Sequence, residues 1–330
     1  MGTPDARTDV LVVSLGTTSG WRAAASELAS AIGRAGANVA MVTARPVPRV
    51  RTFALTDLAE ALSVRQAAAG AVAAHQPAAI VYCSITAALL WPVPGALWLD
   101  STARENRPGR HGAWQRTVER RRLAQSTLVM PMSAGTLAPL RDRCANPVVV
   151  PVPVEASGPL LSGAARDVAA VAYAGDPVKR RLEFILEAWA RARRPGETLV
   201  VAGTDTLTAH DGVEAAGRLA PAEYRALLRR ARVFVAAPRR EDYGIAALEA
   251  LVDGCMLVTT PSPGPYAALA LARTLDPRLV ADDLSGAIRT ALDDPVTGYP
   301  SRAAELLAPF GRAAVDRTIA RDVLPRLMQR

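Results

Sequence analysis

Two glutamates, Glu241 and Glu249, stand eight positions apart in the run Arg239-Arg240-Glu241-Asp242-Tyr243-Gly244-Ile245-Ala246-Ala247-Leu248-Glu249-Ala250. Were the whole interval helical, they would lie about 12 Å apart along the axis and roughly 80° apart around it. Side chains so placed cannot share a proton or a metal ion as a catalytic pair does. They can hold the two ends of one elongated polar ligand. A helix starting near Gly244 would offer free N–H groups and a partial positive charge between them, which suits a phosphate or diphosphate. Hydroxyls at both ends with phosphates in the middle is the chemistry of a sugar nucleotide. The same residues also read as a solvated loop acid and an exposed helix residue, and spacing alone does not separate the two readings.

The neighbouring pattern says what must position them. An apolar run, Val233 to Ala237, stops at Pro238, and an amphipathic run follows from Ile245 to Leu251. Asp253-Gly254 closes it before a strand-like run from Met256 to Thr259. Strand, loop, helix, strand is the order that brings a loop and a helix N-terminus to the carboxyl edge of a parallel sheet. With Tyr243-Gly244-Ile245 between the acids, Leu248-Glu249-Ala250 behind and Asp253-Gly254 at the end, the stretch resembles the E-x7-E signature of retaining GT-B glycosyltransferases. It is most similar to family 4, whose pattern runs E-x-F-G-x-x-x-L-E-A-x-x-x-G. Tyr243 stands where phenylalanine is usual.

The resemblance implies an α/β chain of GT-B architecture: two doubly wound Rossmann-like domains facing a central cleft. It implies sugar transfer from a nucleotide-diphosphate sugar to an acceptor hydroxyl, with retention at the anomeric carbon and no bound metal or further cofactor. Glu241 would hold the donor sugar and Glu249 the ribose, with Asp242, Tyr243, Gly244 and Ile245 beside them. Upstream, Val168 to Ala174 reads as a strand, followed by Gly175-Asp176-Pro177-Val178-Lys179-Arg180-Arg181 and a helix from Leu182 to Arg194. Basic residues at such a turn meet an anion together with helix N–H groups. Aligned on this helix, Arg180 takes the place of the family's phosphate-binding lysine, with Lys179 next to it. Asp176 stands where the family has another basic residue. Arg218, after Gly217, is a candidate for the nucleotide base. Thr259 to Tyr266 replaces the usual G-G-x-x-E turn.

The first half carries weaker signals. Asp9 to Ser14 reads as a buried strand, and Gly16 to Gly20 leads into a helix with Trp21, Ala25, Leu28 and Ile32 on one face. Val39 to Thr43 is the next strand. No G-x-G-x-x-G and no Gly-Lys-Ser/Thr follows, so neither a dinucleotide nor an ATP motif is present. By resemblance the Gly16 loop faces donor and acceptor. A helix from Leu58 to His75, strands Ala78 to Cys83 and Ala96 to Leu99, and a polar loop from Asp100 to Gly109 come next. In that loop Asp100, Thr102 and Arg104 are candidates for the acceptor side, with Asp100 near a position the family often gives to histidine. Trp114 to Ala124 is helical, Leu128 to Met130 a strand, and Ser133 a helix cap. His75, His111 and His210 read as surface residues. Asn146 to Glu155 reads as a strand running into a proline-rich extended piece, and with the small, glycine-bearing Ala156 to Ala165 it has linker composition, which sets a boundary near 160: an acceptor-side domain over 1–160 and a sugar-nucleotide domain over 161–330. A last helix, Arg312 to Gln329, is expected to pack back on the first domain.

Composition limits the partners. Half of the 330 residues are hydrophobic and 5% are aromatic, so the core rests on Ala, Val and Leu. No apolar run reaches membrane-spanning length and Met1 to Asp9 lacks a leader's apolar segment, so the expected location is the cytoplasm. Cys83, Cys144 and Cys255, odd in number and far apart, argue against disulfides and a zinc site. The net charge of +8 fits a phosphorylated substrate and allows peripheral contact with an anionic membrane. It equally fits a GC-rich coding bias, and without interleaved aromatics no nucleic-acid platform is expected. The acceptor is left as a small molecule, a glycan or a lipid-linked group. Three other readings stay open: a sugar-nucleotide epimerase or hydrolase on the same fold, a catalytically silent sugar-nucleotide-binding protein, and a membrane-surface adaptor.

Overall fold

In a computed structural model, residues 7–48, 50, 52–161 and 163–329 are described. The first six residues of the leader segment considered above, and the His111 side chain, lie outside that set. Contacts divide the chain into two compact units, one ending at Pro153 and resumed from Arg312, the other Val154–Gly311.

The first unit holds β1 (Val10–Ser14), β2 (Val39–Thr43), β3 (Ala79–Cys83), β4 (Ala96–Leu99) and β5 (Val129–Pro131), all parallel, in the order β2-β1-β3-β4-β5. Every residue of β1 is buried, because helices cover both faces of such a sheet; that is why it reads as an unbroken apolar run. Helix Ser19–Arg34 begins where Thr18 accepts from the Trp21 amide. Helix Phe53–His75 starts five residues before the expected Leu58, because the Thr52 hydroxyl accepts from the Leu55 amide and caps the extra turn. Right-handed crossovers place this helix and Ala113–Gln125 on one face of the sheet. The core between them gathers Leu11, Val64, Tyr82, Trp91, Leu97 and Leu123.

The expected single helix from Arg312 to Gln329 is broken. It runs Arg312–Thr318, widens into a π turn at Ile319–Val323 and resumes at Leu324–Met328. Pro325 has no N–H to donate back, and the wider turn absorbs the lost bond. Asp316 in this segment pairs with Arg34 at 2.7 Å.

The second unit holds β6 (Val168–Tyr173), β7 (Leu199–Ala202), β8 (Val213–Gly217), β9 (Ala231–Ala236) and β10 (Met256–Thr259), again all parallel, in the order β10-β9-β6-β7-β8. Helices Leu182–Ala192, Pro221–Arg230, Ile245–Val252, Ala267–Leu275, Leu284–Asp293 and Tyr299–Leu307 alternate with and follow them. β8 has no counterpart in the sequence reading: Glu214 is exposed and Ala215 to Gly217 are only half-buried, so this edge strand lacks the apolar run that marked the others. The contact boundary at 153/154 falls before the expected 160. Part of the apparent linker is docked: the Ser157 amide and hydroxyl both bond the Asp253 carboxylate, and the Val154 amide bonds the Phe310 carbonyl.

Each sheet order reverses once, between β1 and β3 in the first unit and between β6 and β9 in the second. The loops leaving those paired strands part in opposite directions and open a crevice at the carboxyl edge, where ligands of doubly wound sheets bind. At the first crevice Ser84, directly after β3, holds φ 129° and ψ 160° while its hydroxyl caps the Ala87 amide at 3.1 Å. That backbone region belongs almost to glycine alone and costs about 1–3 kcal/mol. Glycine would relieve the strain and, as a cap, give up only a few tenths of a kcal/mol. Ser84→Gly is therefore expected to stabilise the protein by about 1 kcal/mol in urea unfolding, and an unchanged or lowered midpoint would refute the strained assignment.

Candidate active site

The second crevice is where the charged residues collect. Asp176 caps the turn Pro177–Arg180 by accepting from the Lys179 amide at 3.0 Å. The aspartate that replaces a basic residue of the family pattern thus aims the two that follow it. Arg180 donates from its guanidinium to the Glu241 carboxylate, and Lys179 Nζ lies 3.6 Å from the other carboxylate oxygen. The Arg239 amide bonds the Lys179 carbonyl at 2.9 Å, tying the loop after β9 to the turn after β6. Glu241 is only 5% exposed. Such a carboxylate stays ionised only where partners replace the water it has lost. Lys179 is the only lysine among 39 basic residues.

The helix Ile245–Val252 begins beside this cluster. Gly244 caps it at φ 87°, and a side chain there would strike the Tyr266 ring, 2.4 Å from the place of its Cβ. Tyr266 is buried, and burial pushes its phenol up to about 12, against a hydrogen bond with Thr259 and the charge of Arg180. Glu241 is also held through its backbone: its amide bonds the Pro263 carbonyl at 3.1 Å, and Gly264 packs on its own carbonyl. Tyr173, Arg180, Phe234, Ala237, Glu241 and Gly244 line a small solvent-open concavity.

The two glutamates of the motif have different surroundings. Glu249 lies 3.6 Å from Arg225, which also bonds the buried Asp253 at 2.6 Å. Burial pushes the Glu249 carboxyl above its ordinary range; Arg225 opposes the shift and Asp253 adds to it. An aromatic pair stands between the acids. Arg180 lies 6.0 Å over the Tyr173 ring, Tyr173 and Tyr224 rings are 5.5 Å apart, and the Tyr224 hydroxyl feels the charge of Glu249. That hydroxyl is buried without a hydrogen-bond partner. Sequence reasoning passed over Tyr173, Tyr224 and Tyr266, since nothing in a lone tyrosine announces which sheet edge it reaches.

The other candidates are dispersed. Asp242 pairs with Arg240 at 2.8 Å, Tyr243 is buried with its carbonyl accepting from Ala267, and Ile245 opens the helix. Arg218 does not join the cluster. Its side chain is 76% exposed and pairs with Asp205, at the end of edge strand β8. β8 stands three strands from β9, about 14 Å at ordinary strand spacing. In the first unit the Gly16 carbonyl accepts from Arg22 at 2.7 Å. Asp100 accepts from the Ser101 hydroxyl, and Arg104 is exposed. Thr102, expected to face an acceptor, is fully buried and its hydroxyl donates to Glu105 in a capping box. The first unit instead holds a polar group the sequence did not announce. Buried Asp57 takes both arms of Arg107, at 2.6 and 2.8 Å, and the Gln115 amide at 3.2 Å. Among the described residues no cluster of His, Cys, Asp and Glu is arranged to hold a metal ion, and all three cysteines are free.

Residues 166–294, which contain this site, match the family of glycosyl transferases group 1. No curated protein matches the chain. Among solved structures the chain is similar to sucrose-phosphate synthase from Thermosynechococcus elongatus, with TM-score 0.66 and 16% identity over 96% of this chain and 98% of that one. It is similar to WaaG, a glycosyltransferase involved in lipopolysaccharide biosynthesis, with TM-score 0.67 and 13% identity over 96% and 99%. Anabaena Alr3699/HepE in complex with UDP and glucose gives TM-score 0.65 and 14% identity over 95% and 98%. The fold is GT-B. Within it, the residues that match the glycosyl transferases group 1 model run from β6 to the end of helix Leu284–Asp293 and include both motif glutamates.

Two outcomes follow from this geometry. Gly264→Ala, at φ 112° with its Cβ 2.2 Å from the Glu241 carbonyl, must push the Glu241 loop aside. It should cost about 1–3 kcal/mol of stability in denaturant titration, and a neutral result would contradict the clamp. Glu249 has a folded-state carboxyl above its unfolded value, so its contribution is present at acid pH and is lost as pH rises through the folded value. Glu249→Gln should therefore raise Tm at neutral pH, the gain shrinking as the pH falls into the carboxylate range; a loss of Tm at neutral pH would reverse the sign.

Proposed function

We propose that this GT-B chain is a retaining glycosyltransferase that takes a sugar from a nucleotide-diphosphate sugar to an acceptor hydroxyl. One observation carries the reading: Arg180 and Lys179 converge on Glu241 at the switch point between β6 and β9, beside the start of helix Ile245–Val252. A cluster of two cations and one anion keeps a net positive charge for an incoming diphosphate. As the sugar–phosphate bond breaks, negative charge grows on the leaving oxygen, and fixed cations with helix N–H groups stabilise it where it grows. In this reading they do so without a metal ion or other cofactor. Arg180 turns from Glu241 to the phosphate, and the freed carboxylate accepts from the donor sugar's hydroxyls. Glu249 holds the ribose, with the unpartnered Tyr224 hydroxyl close by. The acceptor side belongs to the first unit, around Gly16, Asp100 and Arg104. UDP in the Anabaena complex makes uridine the first base to try.

The test starts from binding. Uridine, guanosine and adenosine diphosphates and their sugar conjugates are screened by thermal shift, and one base should raise Tm by several degrees at ligand well above Kd. Glu241→Gln should keep that shift but lower sugar transfer or donor turnover by a factor of about 10²–10³. Arg180→Ala should weaken the diphosphate itself. Reductive methylation with labelled carbon marks Lys179 as the single side-chain amine, and its resonance should move on nucleotide addition. Nucleotide-independent Tm and an unmoved lysine signal together defeat the proposal. Donor consumed without any acceptor would favour the epimerase or hydrolase reading instead.

A further inference from the structure

Buried polar groups are ordinarily paired, and in the first unit one is not. Gln115, on helix Ala113–Gln125, is 1% exposed. Its amide nitrogen donates to the Asp57 carboxylate at 3.2 Å. An ionised carboxylate only accepts, so this contact fixes which end of the amide is nitrogen and leaves the oxygen on the other side. That oxygen, Oε1, is buried without a hydrogen-bond partner. An orphan acceptor is costly to keep unless something outside the chain donates to it.

Gln115 belongs to the wall of a second small concavity, and the rest of that wall says what kind of donor fits. The segments that build it follow the carboxyl ends of β2, β3 and β4, the edge where ligands of doubly wound sheets bind. Asp57 and Arg107 are bonded to each other there, so the wall carries one charge of each sign and no net charge. Thr86 and Asn106 add a half-buried hydroxyl and amide, and Ile85 and Leu89 add buried apolar surface. Phe53 is 77% exposed, with its ring 5.4 Å from the Arg107 guanidinium.

This chemistry selects. A phosphate or carboxylate would face the amide oxygen and Asp57, while the guanidinium it needs is already engaged by Asp57. An ammonium would face that same guanidinium. An uncharged hydroxyl donates to Oε1 and accepts from a neighbouring N–H, and it costs little to desolvate beside a paired charge. A compact ring with several hydroxyls and apolar C–H faces uses the whole wall: its hydroxyls meet the amides, and its faces meet Ile85, Leu89 and the Phe53 ring. Such a ring is a sugar.

We propose that the concavity walled by Asp57, Arg107 and Gln115 binds an uncharged sugar residue of the acceptor, with Gln115 Oε1 receiving one of its hydroxyls. The role of acceptor rests on the sugar transfer proposed above; the binding itself needs only the first unit.

Saturation-transfer NMR on the full chain, with and without uridine diphosphate, tests it. The probes are glucose, galactose, mannose and their methyl glycosides, against glucose 6-phosphate and glucosamine. At least one neutral sugar should receive saturation, more strongly than either charged probe. Methyl glycosides bound better than the free sugars assign the pocket to the end of a glycan or lipid-linked chain; the reverse assigns it to a free sugar. Gln115→Met keeps the size of the side chain and should weaken binding about tenfold, its fold checked by a cooperative thermal transition. Phe53→Ala, at an exposed position that does not threaten the fold, should weaken it about threefold. If no neutral sugar binds, Oε1 is served by water and the proposal falls. Binding that survives both variants, or that favours glucose 6-phosphate, overturns it as well. Sugar binding without any nucleotide shift would defeat the transferase reading and leave the pocket standing, whereas a nucleotide shift without sugar binding would defeat the pocket alone.

Discussion

The carboxylate of Glu241 is the constraint around which the second unit is arranged. Removing an ion from water costs several kcal/mol, and stripping one partner from a buried pair typically costs about 3–5 kcal/mol. Glu241 can be buried only because Arg180 and Lys179 reach it, and they reach it because β6 and β9 pair in the sheet although many residues separate them. The third support comes from the loop after β10, through Pro263, Gly264 and Tyr266. Three crossovers thus end on one side chain. Sheet order here is an electrostatic requirement as much as a packing solution.

Such an arrangement is also poised. A salt bridge that satisfies a buried acid in the empty protein leaves its cations positively biased, and a phosphate offers them a stronger partner. In the proposed function Arg180 and Glu241 each meet a different part of one ligand, and neither has to be desolvated afresh when it arrives. Preorganisation of this kind is what lets fixed charges act on a developing one.

How much of this stood in the sequence varies by residue. The strand–loop–helix around Glu241 was legible because apolar runs, Pro238, Gly244 and Asp253-Gly254 punctuate it locally. The strands β2, β4 and β10 took their expected bounds for the same reason. β8 escaped because an edge strand with one exposed acid and small residues has no apolar run to show. For Arg218 the loop was legible, but the edge position of its strand, and so its distance from the crevice between β6 and β9, was not. Asp57 lies 50 and 58 residues from Arg107 and Gln115, so no local pattern could join it to them. Ser84 escaped because strain lives in φ, which serine does not announce. Glu249 kept its helix position while its partners, Arg225 and Asp253, were not foreseeable.

The basic excess is the clearest case of one composition serving unlike physical ends. Arginine at a surface keeps its charge hydrated, and most pairs of that kind contribute little to stability; Arg194, Arg230 and Arg321 sit in such exposed pairs. Arg166 is used differently, its guanidinium spent on the carbonyls of Leu161, Ala231 and Asp253, where it ties the start of β6 to its neighbours. Arg180 is different again, partly buried against a carboxylate at a crevice. A coding bias toward arginine would act on all of these alike. It would also act on position 179, where the chain keeps its one lysine, a compact ammonium on a flexible stem beside the buried acid. The net charge of +8 therefore says little until each cation is placed. Once they are placed, the cations that matter are the ones whose water has been replaced.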